Sequence, residues 1–259
     1  MHSQWESRPK TLAAVLGVFV LIVAAGYHFG IPIAARFMAF RIPAAVTTAI
    51  SDRTLDSLDG SVLQPSTLPE LRQQQLASAF ASLEGPGRAG SYRLVFRDTQ
   101  ELGANALALP SGTIVVTDVL VQLARDDREI MGVLAHEAGH VQARHGLRLL
   151  LQNSALTLTI GWIVGDVTSV IAVAPAVILQ TKYSRDFERE ADAIAADTLR
   201  ARGIPPSMLA DLLERIDAGE RSAVEEGEGA GGGADGPRLL DYTSSHPPTR
   251  ERLDYLRSR

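Results

Sequence analysis

Cysteine is absent from this chain of 259 residues. That excludes disulfides, thiolate zinc knuckles and a cysteine nucleophile. An excess of basic charge is also absent. The formal net charge is −5, so the whole-chain balance gives no electrostatic case for nucleic acid. No internal repeat occurs, which excludes a stacked-repeat architecture. Aromatic residues are sparse, at 5%. What remains is an ordinary globular composition, 46% hydrophobic and 21% charged, sufficient for one sizeable domain plus an anchor.

One local absence is informative. From Thr11 to Ala35 there is no Asp, Glu, Lys or Arg. The run exceeds the roughly 20 apolar residues that cross a bilayer as a helix. Arg8 and Lys10 precede it, and Arg36 and Arg41 follow. A transmembrane anchor is expected over residues 11–35, behind a stub of residues 1–10. A cleaved signal peptide ending near Val23-Ala24-Ala25 is the alternative. The apolar character continues through Ile31, Ile33 and Ala35, longer than a signal core needs. The flanking charges are balanced, so orientation rests on the short stub, which favours an exported C-terminal part.

Residues 36–64 read as a juxtamembrane segment, because Pro43 to Pro69 mixes turn residues with short apolar spots. Residues 65–259 read as the main domain. Leu68–Leu83 has helical spacing. Tyr92–Phe96 and Thr113–Thr117 are strand candidates, and Asn105–Pro110 reads as extended, an edge strand since Pro110 cannot donate to a ladder. Asp126, three residues before Glu129, predicts a capped helix running to about Leu151. Leu156–Gln180 is very apolar, but Asp166, the glycines and Pro175 favour a buried or membrane-apposed helical pair over a simple span. Tyr183–Arg202 predicts a helix stopped by Gly203 and Pro205. A short helix is expected over Pro206–Ala218, a flexible Gly/Glu-rich loop over residues 219–237, and a polar helix at the C-terminus.

The chemistry sits on the capped helix. His136-Glu137-Ala138-Gly139-His140 places two imidazoles at i and i+4, on one face, about 6 Å apart at Cβ. They can converge on one ion, while Glu137 approaches a metal-held water without taking a ligand position. Catalytic zinc sites use three protein ligands and keep a position for water. The third ligand is expected from Glu188-Arg189-Glu190-Ala191-Asp192. There Glu188 and Asp192 share a face, Glu188 as ligand and Asp192 orienting an imidazole through its free N–H. Glu190 points elsewhere and reads as a solvated charge. Arg144 and His145, just past the motif, read as structural. The bland alternative is a pair of amphipathic helices with surface histidines and acids.

Together with His246-Pro247-Pro248-Thr249-Arg250-Glu251-Arg252, these motifs resemble the HtpX-type and CAAX-prenyl-endopeptidase-type zinc metallopeptidases, family forty-eight of the metallopeptidases, among the gluzincins. The resemblance covers about Pro65 to Arg259. It includes Asn105–Pro110, similar to the family's NAFALP segment, and Tyr183-Ser184-Arg185. It implies a mainly α fold with a small β-sheet (α+β), a gluzincin-like domain behind an N-terminal transmembrane helix. It implies one Zn2+ per chain held by His136, His140 and Glu188, with Glu137 as the base. It implies that Asn105 and Ala106 pair with substrate backbone by strand addition. His246 and Arg252 match a C-terminal His and Arg that approach the active site, where a cationic donor stabilises an oxyanion. His246 could instead cap the metal and hold the enzyme latent. Many bacterial members act in quality control of membrane or envelope proteins. The expectation is a zinc metalloendopeptidase in a bacterial inner membrane with a periplasmic catalytic domain, acting on protein or peptide substrates such as misfolded membrane proteins. A secreted form after signal cleavage is the alternative. A non-catalytic chaperone or assembly factor with a structural metal is the rival class, and a peptidase for prenylated C-termini ranks below it.

Overall fold

The computed structural model describes residues 9–83, 92–99, 101–153, 168–179, 183–229 and 242–259. Helix α1 (Pro9–Ala25) passes through a wide π turn at Gly26–Gly30 into α2 (Ile31–Ala39). Pro32 lies just past that turn and has no N–H to return to it. Leu12–Ala39 forms 28 helical residues, long and apolar enough to cross a membrane. Its side chains are exposed from Leu12 to Gly30, Ile31 and Pro32 are half-buried, and Ala35 and Ala39 are buried against the rest of the molecule.

The segment of residues 36–64, expected to be turn-like, is helical: α3 spans Ala44–Leu58. Its inward face is made of Thr47, Ser51 and Thr54 beside Ile50 and Leu58, so the apolar period is faint. Each hydroxyl turns back onto a helix carbonyl, Thr47 to Ala44, Ser51 to Thr47 and Thr54 to Ile50, and so can be buried at little cost. Ser51 Oγ also accepts from Ser111 N at 2.9 Å, tying α3 to the sheet.

Four strands make one mixed sheet in the order β1-β2-β4-β3: β1 (Gln64–Pro65), β2 (Arg93–Asp98), β3 (Ala106–Ala108) and β4 (Thr113–Thr117). β2 runs parallel to β4, and β3 runs antiparallel to it at the sheet edge, as the Asn105–Pro110 segment predicted. Between them lies α4 (Glu70–Leu83) before β2, while β4 leads into α5 (Asp118–Leu123).

β4 is buried on both faces, and its alternation divides the core. Ile114 and Val116 join Phe80, Phe96, Ile130, Leu134, Leu199 and Leu213 in one cluster. Val115 points the other way, to Ile50, Leu63, Leu109, Leu147 and Leu150, a cluster that also takes in Ala35 and Ala39. The foot of the apolar helix is thus part of the domain's second core.

The helix begun by Asp126 is α6 (Asp127–Gln142), shorter than expected. It stops because Arg144 takes a left-handed conformation, φ 53°. The next helix, α7 (His145–Asn153), starts at once in a new direction. No glycine or proline announces this break. Arg144 Nη1 donates to Ala39 O and Ile42 O, which binds the break to the end of α2. The cap also differs in detail. Asp126 accepts from Arg128 N, but Glu129 reaches Arg125 N, one residue earlier than a capping box requires.

Of the apolar Leu156–Gln180 stretch, residues 156–167 and 180 lie outside the described residues. The rest forms α8 (Thr168–Leu179), with Pro175 inside it and Ala174 and Ile178 in the second core. Then come α9 (Arg185–Arg200), capped by Ser184, and α10 (Ser207–Gly229). Helix α10 runs well beyond Ala218 into the segment expected to be a loop; residues 230–241 lie outside the described residues. Short α11 (Tyr242–Ser245) and α12 (Arg250–Arg257) complete the domain. The architecture is mostly helical with a small sheet, as the sequence predicts.

Candidate metal centre

Helices α6 and α9 lie against each other, and Gly139 is where they come closest. A Cβ there would stand 2.9 Å from Ala191 O and 3.1 Å from Ala191 Cα, so no other residue fits without moving backbone. The glycine of the His136–His140 segment therefore sets the distance between the two helices that carry the chemistry.

That distance brings the expected ligands together. His136 Nε2 and His140 Nε2 are 3.0 Å apart. Glu188 Oε2 is 3.5 Å from the first, and Glu188 Oε1 is 3.4 Å from the second. His246 Nδ1 lies 3.4 Å from His136 Nε2 and 3.0 Å from Glu188 Oε1. All four residues are buried, and their donor atoms fall within 4.8 Å of one another. The fit to zinc can be tested on these distances. Zn–N and Zn–O bonds of about 2.0–2.1 Å put tetrahedral donors about 3.3 Å apart. The five distances scatter around that value, and the set is three nitrogens and one carboxylate. The residues fit the ion.

The surroundings fix each donor. His136 Nδ1 lies 2.8 Å from Asp192 Oδ1, one turn beyond Glu188 on α9. Arg252 donates from Nε to Asp192 Oδ2 at 2.7 Å and from Nη2 to Asp192 Oδ1 at 2.9 Å. Its Nη1 lies 2.6 Å from Glu188 Oε2 and also donates to Pro247 O. Arg252 was expected to face an oxyanion; its guanidinium is instead spent on Asp192 and Glu188, holding the carboxylates that hold the histidines. On the other side, His140 Nδ1 is 3.0 Å from His145 Nδ1, and His145 Nε2 is 3.1 Å from Glu190 Oε2. Glu190 also accepts from Arg148 Nη1 at 3.0 Å, so it is not the solvated charge its position suggested.

Electrostatics follow from burial and partners. Burial opposes charge on His136, yet Asp192 and Glu188 outweigh it and raise its pKa to about 9. Burial pushes His140 well below its ordinary value, Glu188 notwithstanding, with His136 and His246 adding to the drop. Glu188 is buried, which alone would favour protonation; His246, His136 and His140 overcome that and hold it ionised. Burial pushes His145 down to about 4, so it is neutral.

Two tyrosines complete the site, and no local pattern singles out Tyr242. Its hydroxyl donates to Glu137 Oε1 at 2.9 Å, and its ring stacks on His246 at 4.6 Å. Tyr183 covers His140 and His246, with centroids at 4.1 and 5.1 Å. His246 Nε2 is 3.7 Å from Glu137 Oε1. Asn105 and Ala106, at the sheet edge, line a mostly apolar cavity together with Leu63, Leu102, Ile178 and His246. Asn105 N donates to Thr117 Oγ1, and Asn105 O accepts from Thr117 N, so its backbone is held to β4.

Comparison with known proteins decides the lineage: the model of peptidase family M48 matches residues 68–259. The chain belongs to peptidase family M48. Among M48 relatives, the metalloprotease YcaL of Escherichia coli K12 is 31% identical over 162 residues, 60% of this chain and 58% of that protein. The metalloprotease LoiP of the same organism is 25% identical over 234 residues, 87% of this chain and 85% of that protein. The mitochondrial metalloendopeptidase OMA1 of Arabidopsis thaliana is 30% identical over 156 residues, covering 59% of this chain and 28% of that protein. The matches therefore leave a large part of YcaL and most of OMA1 unaligned. The enzyme class anticipated from the motifs, a metallopeptidase, is the class of this family.

Proposed function

We propose that this protein is a membrane-anchored, zinc-dependent endopeptidase whose metal is held by His136, His140 and Glu188, with Glu137 as general base. The observation that carries it is the buried set of donors at zinc-like spacing, with Glu137 beside it on the same helix. Zinc bound there would polarise a scissile carbonyl and lower the pKa of a water. Glu137 takes the proton of the attacking water and hands it to the leaving amine. Tyr242 steadies that carboxylate through Oε1. Asp192 holds His136, and Arg252 balances the charge of Asp192 and Glu188. The edge of β3 at Ala106 offers an extended substrate a strand to pair with, beside the apolar cavity.

His246 adds a second layer. Its Nδ1 stands at a fourth corner, 3.0 Å from Glu188 Oε1 and 3.4 Å from His136 Nε2, where the water would need to be. We read this as a resting state. His246 follows directly on α11, the helix that brings Tyr242 to Glu137, so a shift of this one segment would open the fourth corner and free the base together. A helix fit to cross a bilayer, with only its foot at Ala35 and Ala39 packed into the second core, supports an anchored enzyme. A bacterial inner membrane, a catalytic domain on its exported side and misfolded membrane or envelope proteins as substrates complete the proposal. The binding-module alternative gives Glu137 and Tyr242 nothing to do.

The test is digestion of an unfolded protein such as casein by the full chain in detergent. Glu137→Gln should retain zinc and lose about 10²–10⁴-fold in turnover. Equal turnover in that variant would overturn the mechanism. His246→Ala should turn over faster than wild type if it caps the site; slower turnover with zinc retained would make it a catalytic donor instead.

A further inference from the structure

We propose that His145, backed by Glu190, is the positioning residue of His140: a histidine–glutamate relay, not a carboxylate alone, aims the second metal ligand. The inference rests on the zinc reading above and concerns how this chain prepares that ligand.

The chemistry of the ring fixes the direction of the relay. His140 turns Nε2 toward His136 and Glu188, so Nε2 must keep its lone pair to bind a cation. Its proton then sits on Nδ1. The atom facing it, 3.0 Å away, is His145 Nδ1, which must therefore accept. His145 thereby carries its own proton on Nε2 and donates it to Glu190 Oε2 at 3.1 Å. Glu190 Oε2 also accepts from Arg148 Nη1 at 3.0 Å, which fixes the carboxylate as an acceptor at the end of the relay. Each link permits one tautomer only, and the sense of the chain ends with a basic Nε2 on His140. A metal-bound histidine ordinarily gives its far N–H to a carboxylate, carbonyl or water. Here a second imidazole is interposed.

The packing is built to hold that imidazole still. His145 is fully buried. Its ring stacks on Phe187 at 4.2 Å and 10°, and the Arg148 guanidinium lies over the same Phe187 ring at 4.2 Å. The backbone device is the left-handed Arg144. Had α6 run on as a straight helix, His145 would stand five positions past His140 and face elsewhere. The break turns it back beneath His140, and Arg144 fastens the break to Ala39 O at 2.8 Å.

The experiment is a chelator competition for zinc on the full-length protein in detergent, with wild type, Glu190→Ala, Glu190→Gln, His145→Ala, His145→Gln and Asp186→Asn. Glu190→Ala and His145→Ala should weaken zinc binding about 10- to 100-fold. His145→Gln, which can accept from His140 and donate to Glu190, should retain more than His145→Ala. Asp186→Asn, on the exposed side of α9, should match wild type. Cobalt-substituted Glu190→Ala should show a shifted visible absorption band, a signature that loss of stability alone does not give. Zinc affinity and cobalt spectrum unchanged in a folded Glu190→Ala, or in the milder Glu190→Gln, would overturn the relay. Failure of the wild type itself to bind zinc would be a different result, overturning the metal reading and the relay with it.

Discussion

His136 and His140 leave one helix a single turn apart, yet their far sides rest on different supports. His136 leans on Asp192, a carboxylate on the helix that also carries Glu188, and Arg252 locks both acids from α12. Everything in that support is buried to within a few per cent. His140 leans on His145, which enters after a helix break, and the chain ends at Glu190, whose side chain is 36% exposed. The first support ties two ligands to each other. The second ties a ligand to α7 and, through Arg144, to the foot of the apolar N-terminal helix. The first is therefore costly to break and the second is adjustable, because an ion pair that reaches solvent contributes little to stability while still setting a tautomer.

The comparison can be broken most severely at Asp192. Asp192→Ala leaves the buried Arg252 short of its main partner and frees the His136 ring. It should lower stability by about 3 kcal/mol and weaken zinc by 10- to 100-fold, read by urea denaturation and chelator competition. Glu190→Ala also removes the partner of a nearly buried Arg148, but at a carboxylate that reaches solvent, so it should cost less, about 1–2 kcal/mol; equal destabilisation by the two variants would erase the distinction drawn between the supports.

Gly139 tests the seam on which both supports depend. In Gly139→Ala the new methyl group meets the backbone of Ala191 and must push α9 outward. A net loss of about 2 kcal/mol is expected after the gain in helix propensity, with weaker zinc binding because Glu188 and Asp192 move together. An alanine variant as stable as wild type would mean that the helices have room to spare.

The smallest effect on zinc is expected at the far end of α6, which serves as a control for both. Arg215 holds Glu129 by two bonds, 2.8 and 2.9 Å, and keeps its carboxyl below the ordinary 4.5. A carboxyl depressed in the folded state contributes stability above its unfolded value, and that stability fades as pH falls through the folded value. Arg215→Ala should cost about 1.5 kcal/mol at neutral pH, flatten the acid limb of the stability curve below about 4.5, and leave zinc affinity unchanged. Reduced zinc affinity in this variant would mean that the whole helix, not its local supports, positions the ligands.

The sequence made one of the two supports legible and hid the other. His136, His140, Glu188 and Asp192 announce themselves by helical spacing, since i and i+4 share a face whatever the fold. β3 was legible from the proline that confines Ala106–Ala108 to an edge. His145 was not, because its contact depends on a left-handed arginine with no glycine or proline to signal it. Arg252 was placed near the site but given the wrong partner: no local pattern tells a guanidinium whether it faces a ligand's carboxylate or an oxyanion. Tyr242 reaches Glu137 from 105 positions away, beyond any periodicity. Helix α3 escaped because its buried face is hydroxyl-bearing, and such residues read as turns until their carbonyl partners are seen.

The central claim is that this cluster is a zinc site in a working peptidase, and the most direct test is zinc per chain in the detergent-purified protein by elemental mass spectrometry. About one zinc per chain is expected in wild type and in Glu137→Gln, and a loss of it in Glu188→Ala. A wild-type chain that holds no zinc and regains none on dialysis against the ion would contradict it.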